Sequence, residues 1–288
     1  MTRHHTRTGL IADTHMPDRL RALPPALPEL FHGVDLILHA GDVGELWVLD
    51  QLSAIAPVIA VHGNDDSADS QRELPYQQVI AVNGVRLLLW HSHYPDYTAE
   101  MASRRDDLIS PARSLAQAQR AGAEIAVFGH WHIPFVHRQD GVCVVNPGAL
   151  ASGSVFSRQL IRSVAILEIA APGQVEVRHI NLDAPDQPFH PTVDWEAGFA
   201  ANGARYEAPI VTPELARAVA ALRRHFSRDE LLAVRPVFSP LAYAVWEGRA
   251  GPITTAQAYA ALAEDPTLPA GLKSRLLARL AEFQVAES

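Results

Sequence analysis

The chain has 288 residues, 48% of them hydrophobic and 19% charged. At roughly 150 residues per domain this makes one or two domains, with enough apolar material for a core and too little charge for a disordered chain. A formal net charge of -8 argues against a long DNA or RNA partner, which needs Lys/Arg stripes, but leaves room for small phosphate-bearing substrates whose charge a metal neutralises.

The pattern from residue 6 to about 180 alternates short strands and helices. Strand-like runs are GLIAD from Gly9, VDLILHAGD from Val34 and PVIAVHGN from Pro57. RLRALPPALPELF lies between the first two, and its prolines predict a loop or broken helix at its start. ELWVLDQLSAI from Glu45 reads as a helix, so the first part is β-α-β-α-β, the mark of a parallel sheet. Hairpins follow. QQVIAVNGVRLLLWHSH turns at Asn83–Gly84 and FVHRQDGVCVVNPGA at Asp140–Gly141, and a third turns near Pro172–Gly173. Between them PARSLAQAQRAGA is a helix ending near Gly122, and EIAVFGHWH is a buried strand. Parallel units followed by hairpins predict two layered mixed sheets with helices outside.

LDAPDQPFHPTVDW is loop-like, and the domain boundary is placed there, giving 1–184 and 185–288. Helices dominate the second part. Thr212 caps a helix with Pro213 at its first position, and Leu215, Val219, Leu222 and Phe226 repeat at helical spacing. Leu272, Leu276, Leu280 and Phe283 form a similar stripe. Both stripes are expected to pack on the first domain or on another copy of the chain, as a homo-oligomer.

Cys143 is the single cysteine, so no intrachain disulfide forms, as suits a reducing compartment. It reads as a small buried hydrophobe. No apolar run matches a signal peptide or the roughly 18 residues of a membrane span, so a cytoplasmic location without a membrane partner is expected. His4 and His5 read as a frayed terminus.

Five polar clusters end successive buried runs: Asp13-x-His15, Gly41–Asp42, Gly63–Asn64–Asp65–Asp66, His91-Ser-His93 and Gly129–His130–Trp131–His132. Each alone is an ordinary turn. In open α/β sheets, however, ligands collect beyond the carboxyl ends of strands, so these ends can deliver carboxylates, an amide and imidazoles to one pocket. That donor mixture suits manganese, iron, zinc, cobalt or nickel better than calcium or magnesium. Two such ions sharing a carboxylate form the arrangement used for in-line displacement at phosphorus.

This ordered series resembles the motifs of the calcineurin-like metallophosphoesterases, and the spacing and the later NPGA are similar to the YfcE-type phosphodiesterase branch. The resemblance covers roughly residues 6–180. It implies an αββα sandwich, a catalytic domain over 1–184, and two divalent ions per chain, manganese first among the candidates. Asp13, His15 and His132 would hold the first ion, and Asp42 would bridge both. Asn64, His91 and His130 would hold the second, with His93 in contact with substrate or behind the ligands. Asp42, Asn64 and His130 would be the catalytic set. Asp66 would orient a ligand. Asn146 would sit near the site or simply end its strand. The implied reaction is hydrolysis of a P–O ester of a small substrate by a metal-bridging hydroxide.

Two departures bear on substrate. Asp65 stands where many members carry a histidine. As an ionised carboxylate it would donate no proton and would repel a monoester dianion more than a diester monoanion. The stretch GDVGELW lacks the arginine of the phosphoprotein phosphatases. Arg19 and Arg21 read as exposed helix-start residues or phosphate contacts. The long segment from Tyr94 reads as a lid in which Tyr94, Tyr97, Arg104 and Arg105 are substrate-contact candidates. The alternatives are a nucleotide or sugar-phosphate monoesterase, or a non-catalytic binding scaffold like the retromer subunit of similar fold. Every ligand position here carries a competent residue, which argues against the scaffold.

Overall fold

The computed structural model describes residues 5–103 and 109–284. The chain divides into two compact units, one made of Met1–Ser152 and Gln159–Glu207, the other of Gly153–Arg158 and Ala208–Ser288.

The first unit carries, in chain order, β1 (Thr6–Ile11), α1 (Leu27–Leu30), β2 (Leu36–His39), α2 (Trp47–Ser53), β3 (Val58–Ala60) and α3 (Ala68–Glu73). The hairpin β4 (Gln77–Val82) and β5 (Val85–Trp90) follows, then α4 (Tyr97–Ser103), α5 (Ile109–Ala121) and β6 (Ile125–Phe128). The hairpin β7 (Phe135–Gln139) and β8 (Val142–Asn146) comes next. After β9 (Ser157–Gln159), whose residues divide between the units, come β10 (Ser163–Ala171), β11 (Gln174–Asn181), α6 (Gly198–Gly203) and β12 (Glu207–Pro209), which also divides between them. Ten of these twelve strands form two five-stranded mixed sheets, ordered β11-β10-β1-β2-β3 and β4-β5-β6-β8-β7. β1, β2 and β3 run parallel, as do β5, β6 and β8. This is the αββα sandwich.

The side-chain period of two explains the layers. Leu87 and Leu89 of β5 point inward with Leu10, Leu38, Val127 and Leu167, filling the space between the sheets. Leu88 and Trp90 point outward to meet Ala118 of α5. On the other outer face Leu27 of α1, Phe31 at its end and Leu52 of α2 cover Ile11, Ile37 and Ile166. The first two hairpins turn where expected: Asn83 and Gly84, then Asp140 and Gly141, all have the positive φ that a type I′ turn requires.

The compact division falls after residue 207 and not after 184. The loop-like stretch has an apolar use that its sequence hides. Phe189, Val193, Phe199 and Tyr206 complete the outer face of the second sheet.

The second unit holds α7 (Pro213–Leu222), α8 (Arg228–Ala233), α9 (Arg235–Trp246), α10 (Thr255–Glu264) and α11 (Ala270–Gln284). Thr212 caps α7, its side chain accepting from the Leu215 amide. Capping boxes open α8 (Ser227, Glu230) and α10 (Thr254, Gln257). The two leucine stripes do not face outward from this unit. Leu215, Leu222, Leu272, Leu276 and Leu280 lie in one core with Phe238 and Leu262. Among the described residues no helix is long and apolar enough to cross a membrane.

Candidate metal centre

Each candidate ligand follows the carboxyl end of a strand: Asp13 and His15 after β1, Asp42 after β2, Asn64 after β3, His91 after β5, His130 and His132 after β6. Backbone bonds lash these loops together. Asp13 N donates to Gly41 O (3.0 Å), His15 N to Asp42 O (2.9 Å) and Ala151 N to Asp13 O (3.0 Å). His130 N donates to the Asp13 carboxylate at 3.1 Å.

Two glycines permit this crowding. A Cβ at Gly63 would fall 2.1 Å from Asp42 Oδ1, and one at Gly129 would fall 2.5 Å from Ala40 O and 2.8 Å from His91 Nδ1. The loops also hold unusual backbone. Eight described non-glycine residues have positive φ. Two of them turn the hairpins. The other six are Asp13, His15, Asp42, Ser92, His130 and His132. Such conformations persist where the surroundings over-determine them, typically at functional sites.

The side chains converge. Donor atoms of Asp13, His15 and His132 lie within 4.8 Å of one another, as do those of Asp42, His91 and His130, and those of His15, Asp42 and Asp65. The third group shares His15 with the first and Asp42 with the second, so the groups are neighbours around Asp42. Asp42 Oδ2 lies 3.2 Å from His91 Nε2 and 3.6 Å from His15 Nε2, and Asp13 Oδ1 lies 3.2 Å from His132 Nε2. Asn64, half-buried, lies between Gly63 and Asp65, and the Asp65 amide donates to Asp42 Oδ1 (2.8 Å).

The donors fit divalent ions. His15 Nε2 and His91 Nε2 are buried with no hydrogen-bond partner, although carboxylate oxygens stand beside them. Burial alone would lower the His91 pKa, but Asp42 and then Asp13 carry it up to about 10. His132 is raised against burial by Asp13. In return, and again against burial, Asp42 is held well below the usual carboxylate range by His91 and His15, and Asp13 is lowered by His132 and His91. The cluster demands positive charge between its carboxylates, which is what a dication supplies. Burial takes His15 down to about 3, with Arg19 pushing the same way.

His91, not His93, lies in the donor groups. His93 packs against His62 and Tyr76, and burial, then the neighbouring His91, lowers it to about 3. Asp66 orients backbone, not a ligand side chain. Its oxygens accept from Gly44 N and Gly63 N, each at 2.6 Å, tying the second loop to the third. Burial and the Asp42 charge push it up to about 7. Asn146 braces the last loop, donating to Gly129 O (3.0 Å) and accepting from Gly148 N (2.8 Å).

Arg19 departs from expectation. It is 5% exposed, its guanidinium pairs with Asp65, and Nη1 donates to Ser152 O at 3.0 Å. Asp65 is thus charge-compensated, and the repulsion expected of it is reduced. Tyr94 stacks under Arg113, whose Cζ is 3.5 Å from the ring centroid. Arg104, Arg105 and His4 lie outside the described residues, as does the side chain of Tyr97. No motif in the sequence points to Glu100, a buried acid of α4 whose Oε1 is 2.7 Å from His130 Nε2. It sits in a segment without hydrophobic rhythm, and nothing local marks its partner.

Residues 7–171 match the calcineurin-like phosphoesterase superfamily domain. The chain is 34% identical over 179 residues to a protein of Methanothermobacter thermautotrophicus named "probable metallophosphoesterase", covering 60% of this chain and 97% of that one. A Methanocaldococcus jannaschii protein of similar name is 33% identical over 141 residues, 49% of this chain and 66% of that one, just under two thirds of its length. Among solved structures, Vps29 from Cryptosporidium parvum is 21% identical with a TM-score of 0.49, over 61% of this chain and 96% of that one. A novel archaeal phosphodiesterase is 22% identical with a TM-score of 0.44, over 61% and 99%. With the domain spanning more than half of its length, the chain belongs to the calcineurin-like phosphoesterase superfamily.

Proposed function

We propose that the protein is a two-metal phosphoesterase that cleaves small phosphodiesters in the cytoplasm. One observation carries this reading: two donor groups, each mixing a carboxylate with imidazoles, are joined around Asp42. Asp13, His15 and His132 would hold one ion, Asn64, His91 and His130 the other, with Asp42 between them. Oxygen and imidazole donors together favour manganese, with zinc, iron, nickel or cobalt also accommodated. Two bound ions supply Lewis acidity and activate water, the chemistry of displacement at a phosphoryl centre.

The protein's own residues supply the setting. The inter-loop backbone bonds fix the spacing of the carboxylates, and Asp66 holds Gly63 and Gly44 in place behind them. Arg19 is engaged with Asp65, so its charge is taken up before substrate arrives. No imidazole follows Asn64 to protonate a leaving group. A diester with one negative charge and a good leaving group suits this setting better than a monoester dianion.

The test pairs metal analysis of the purified protein with turnover of bis-p-nitrophenyl phosphate and p-nitrophenyl phosphate in manganese. Two ions per chain and faster diester cleavage are expected. A strong monoester preference overturns the diester assignment. Neither bound metal nor turnover would point to a binding scaffold.

A further inference from the structure

Glu100 lies outside all three donor groups, yet it is only 4% exposed and both of its carboxylate oxygens are engaged. Oε2 accepts from Tyr94 N at 2.9 Å, closing the residues after β5 into a loop. Oε1 meets His130 Nε2 at 2.7 Å. The helix behind it is secured in turn: Asp96 Oδ1 accepts from Ala99 N (2.8 Å) and Asp96 O from Glu100 N (2.9 Å). On its other side His130 is held by its backbone amide, which donates to the Asp13 carboxylate.

An ionised carboxylate only accepts hydrogen bonds. Beside Nε2 it therefore places the ring proton there and makes Nδ1 the ring's lone-pair nitrogen. Carboxylate–histidine pairs of this kind fix the tautomer and orientation of metal-binding rings. The carboxylate comes from α4, not from a ligand loop, so a ring that stays oriented requires α4 to stay docked.

We propose that Glu100 is the positioning residue for His130, and that through it the docking of residues 94–103 and the loading of the second ion form one linked equilibrium. The proposal rests on the two-ion reading above.

The experiment titrates manganese alone into the full chain, wild type and the variants Glu100→Ala and Glu100→Gln, by calorimetry. Amide hydrogen exchange of residues 94–103 is followed with and without the ion. Wild type should bind two ions and gain protection over 94–103. In Glu100→Ala the second affinity should fall by roughly 10- to 100-fold while the first is unchanged, and the protection gain should vanish. Glu100→Gln keeps an oxygen that can accept from Nε2 and should fall in between. Unchanged second-site affinity in Glu100→Ala overturns the proposal, as does equal weakening of both sites, which marks a general fold defect. Should Glu100→Ala not fold, wild-type second-site affinity in Glu100→Gln overturns it. Fewer than two ions on wild type would instead overturn the two-ion reading beneath it.

Discussion

The two units bury different kinds of residue. The first encloses Asp13, His15, Asp42, His91, His93 and His132, and all the described non-glycine residues with positive φ belong to it. In the second the buried set among the described residues is apolar apart from Thr255, and α7, α8 and α10 open with capping side chains. Local propensity, capping and packing agree over α7, α8 and α10, as expected of segments selected for folding, while α9 opens on Val234 without a capping side chain and carries Pro240 inside it. The first unit gathers its non-glycine positive φ outside hairpin turns at one place, and that place holds the donor groups. Departure from local consistency, more than burial or size, separates the chemical part of the molecule from the structural part.

The largest effect expected from testing this contrast lies at the junction of the donor groups. Asp42→Asn removes the charge shared by both sides, and turnover of a diester should fall by roughly a thousandfold or more, in line with the several kcal/mol that metal-assisted charge stabilisation supplies. Metal analysis on the same sample should show ion loss. Full activity in Asp42→Asn would dissolve the contrast. The mirror experiment is Leu276→Ala, at a side chain 1% exposed in the second core. It should cost about 2–5 kcal/mol in a denaturant titration and leave the ions per chain unchanged.

Acid should expose a further difference. His179, in the first unit, is 5% exposed and lowered by burial to about 4, although its Nε2 donates to Asn146 O at 2.7 Å. The unfolded chain binds this proton near pH 6.5 and the folded chain does not. The stabilisation is therefore complete above that pH and lost as pH falls from about 6.5 to about 4, a change of roughly 3 kcal/mol. His179→Gln should flatten the stability profile across that window. The smallest effect belongs to the second unit: Thr254→Ala removes the capping box of α10 and should cost about 1 kcal/mol, with diester turnover unaltered.

Much of the site is legible in the chain because its parts are local. Asn83–Gly84 and Asp140–Gly141 announce their turns through the φ they tolerate, and the acid and imidazole pairs sit where buried runs stop. What is hidden depends on distant partners. Arg19 reads as a surface residue until Asp65, 46 positions away, meets its guanidinium. Glu100 is silent until His130, 30 positions away, approaches it. The boundary shifted for the same reason, since Phe189, Val193 and Phe199 sit in prolyl, acidic surroundings that conceal the sheet they cover.

Residues 153–158 belong with the helices although both flanks belong to the sandwich. Val155 is buried in the helical core, Phe156 stacks on Phe238 at 5.0 Å between ring centroids, and Arg158 donates to the carbonyls of Val245 and Trp246. The polypeptide therefore crosses between the units three times, and no single scission separates them. A gene truncated after Glu207 would encode a sandwich with Val155 and Phe156 stranded in water, and the severed helices would lack the hexapeptide that completes them.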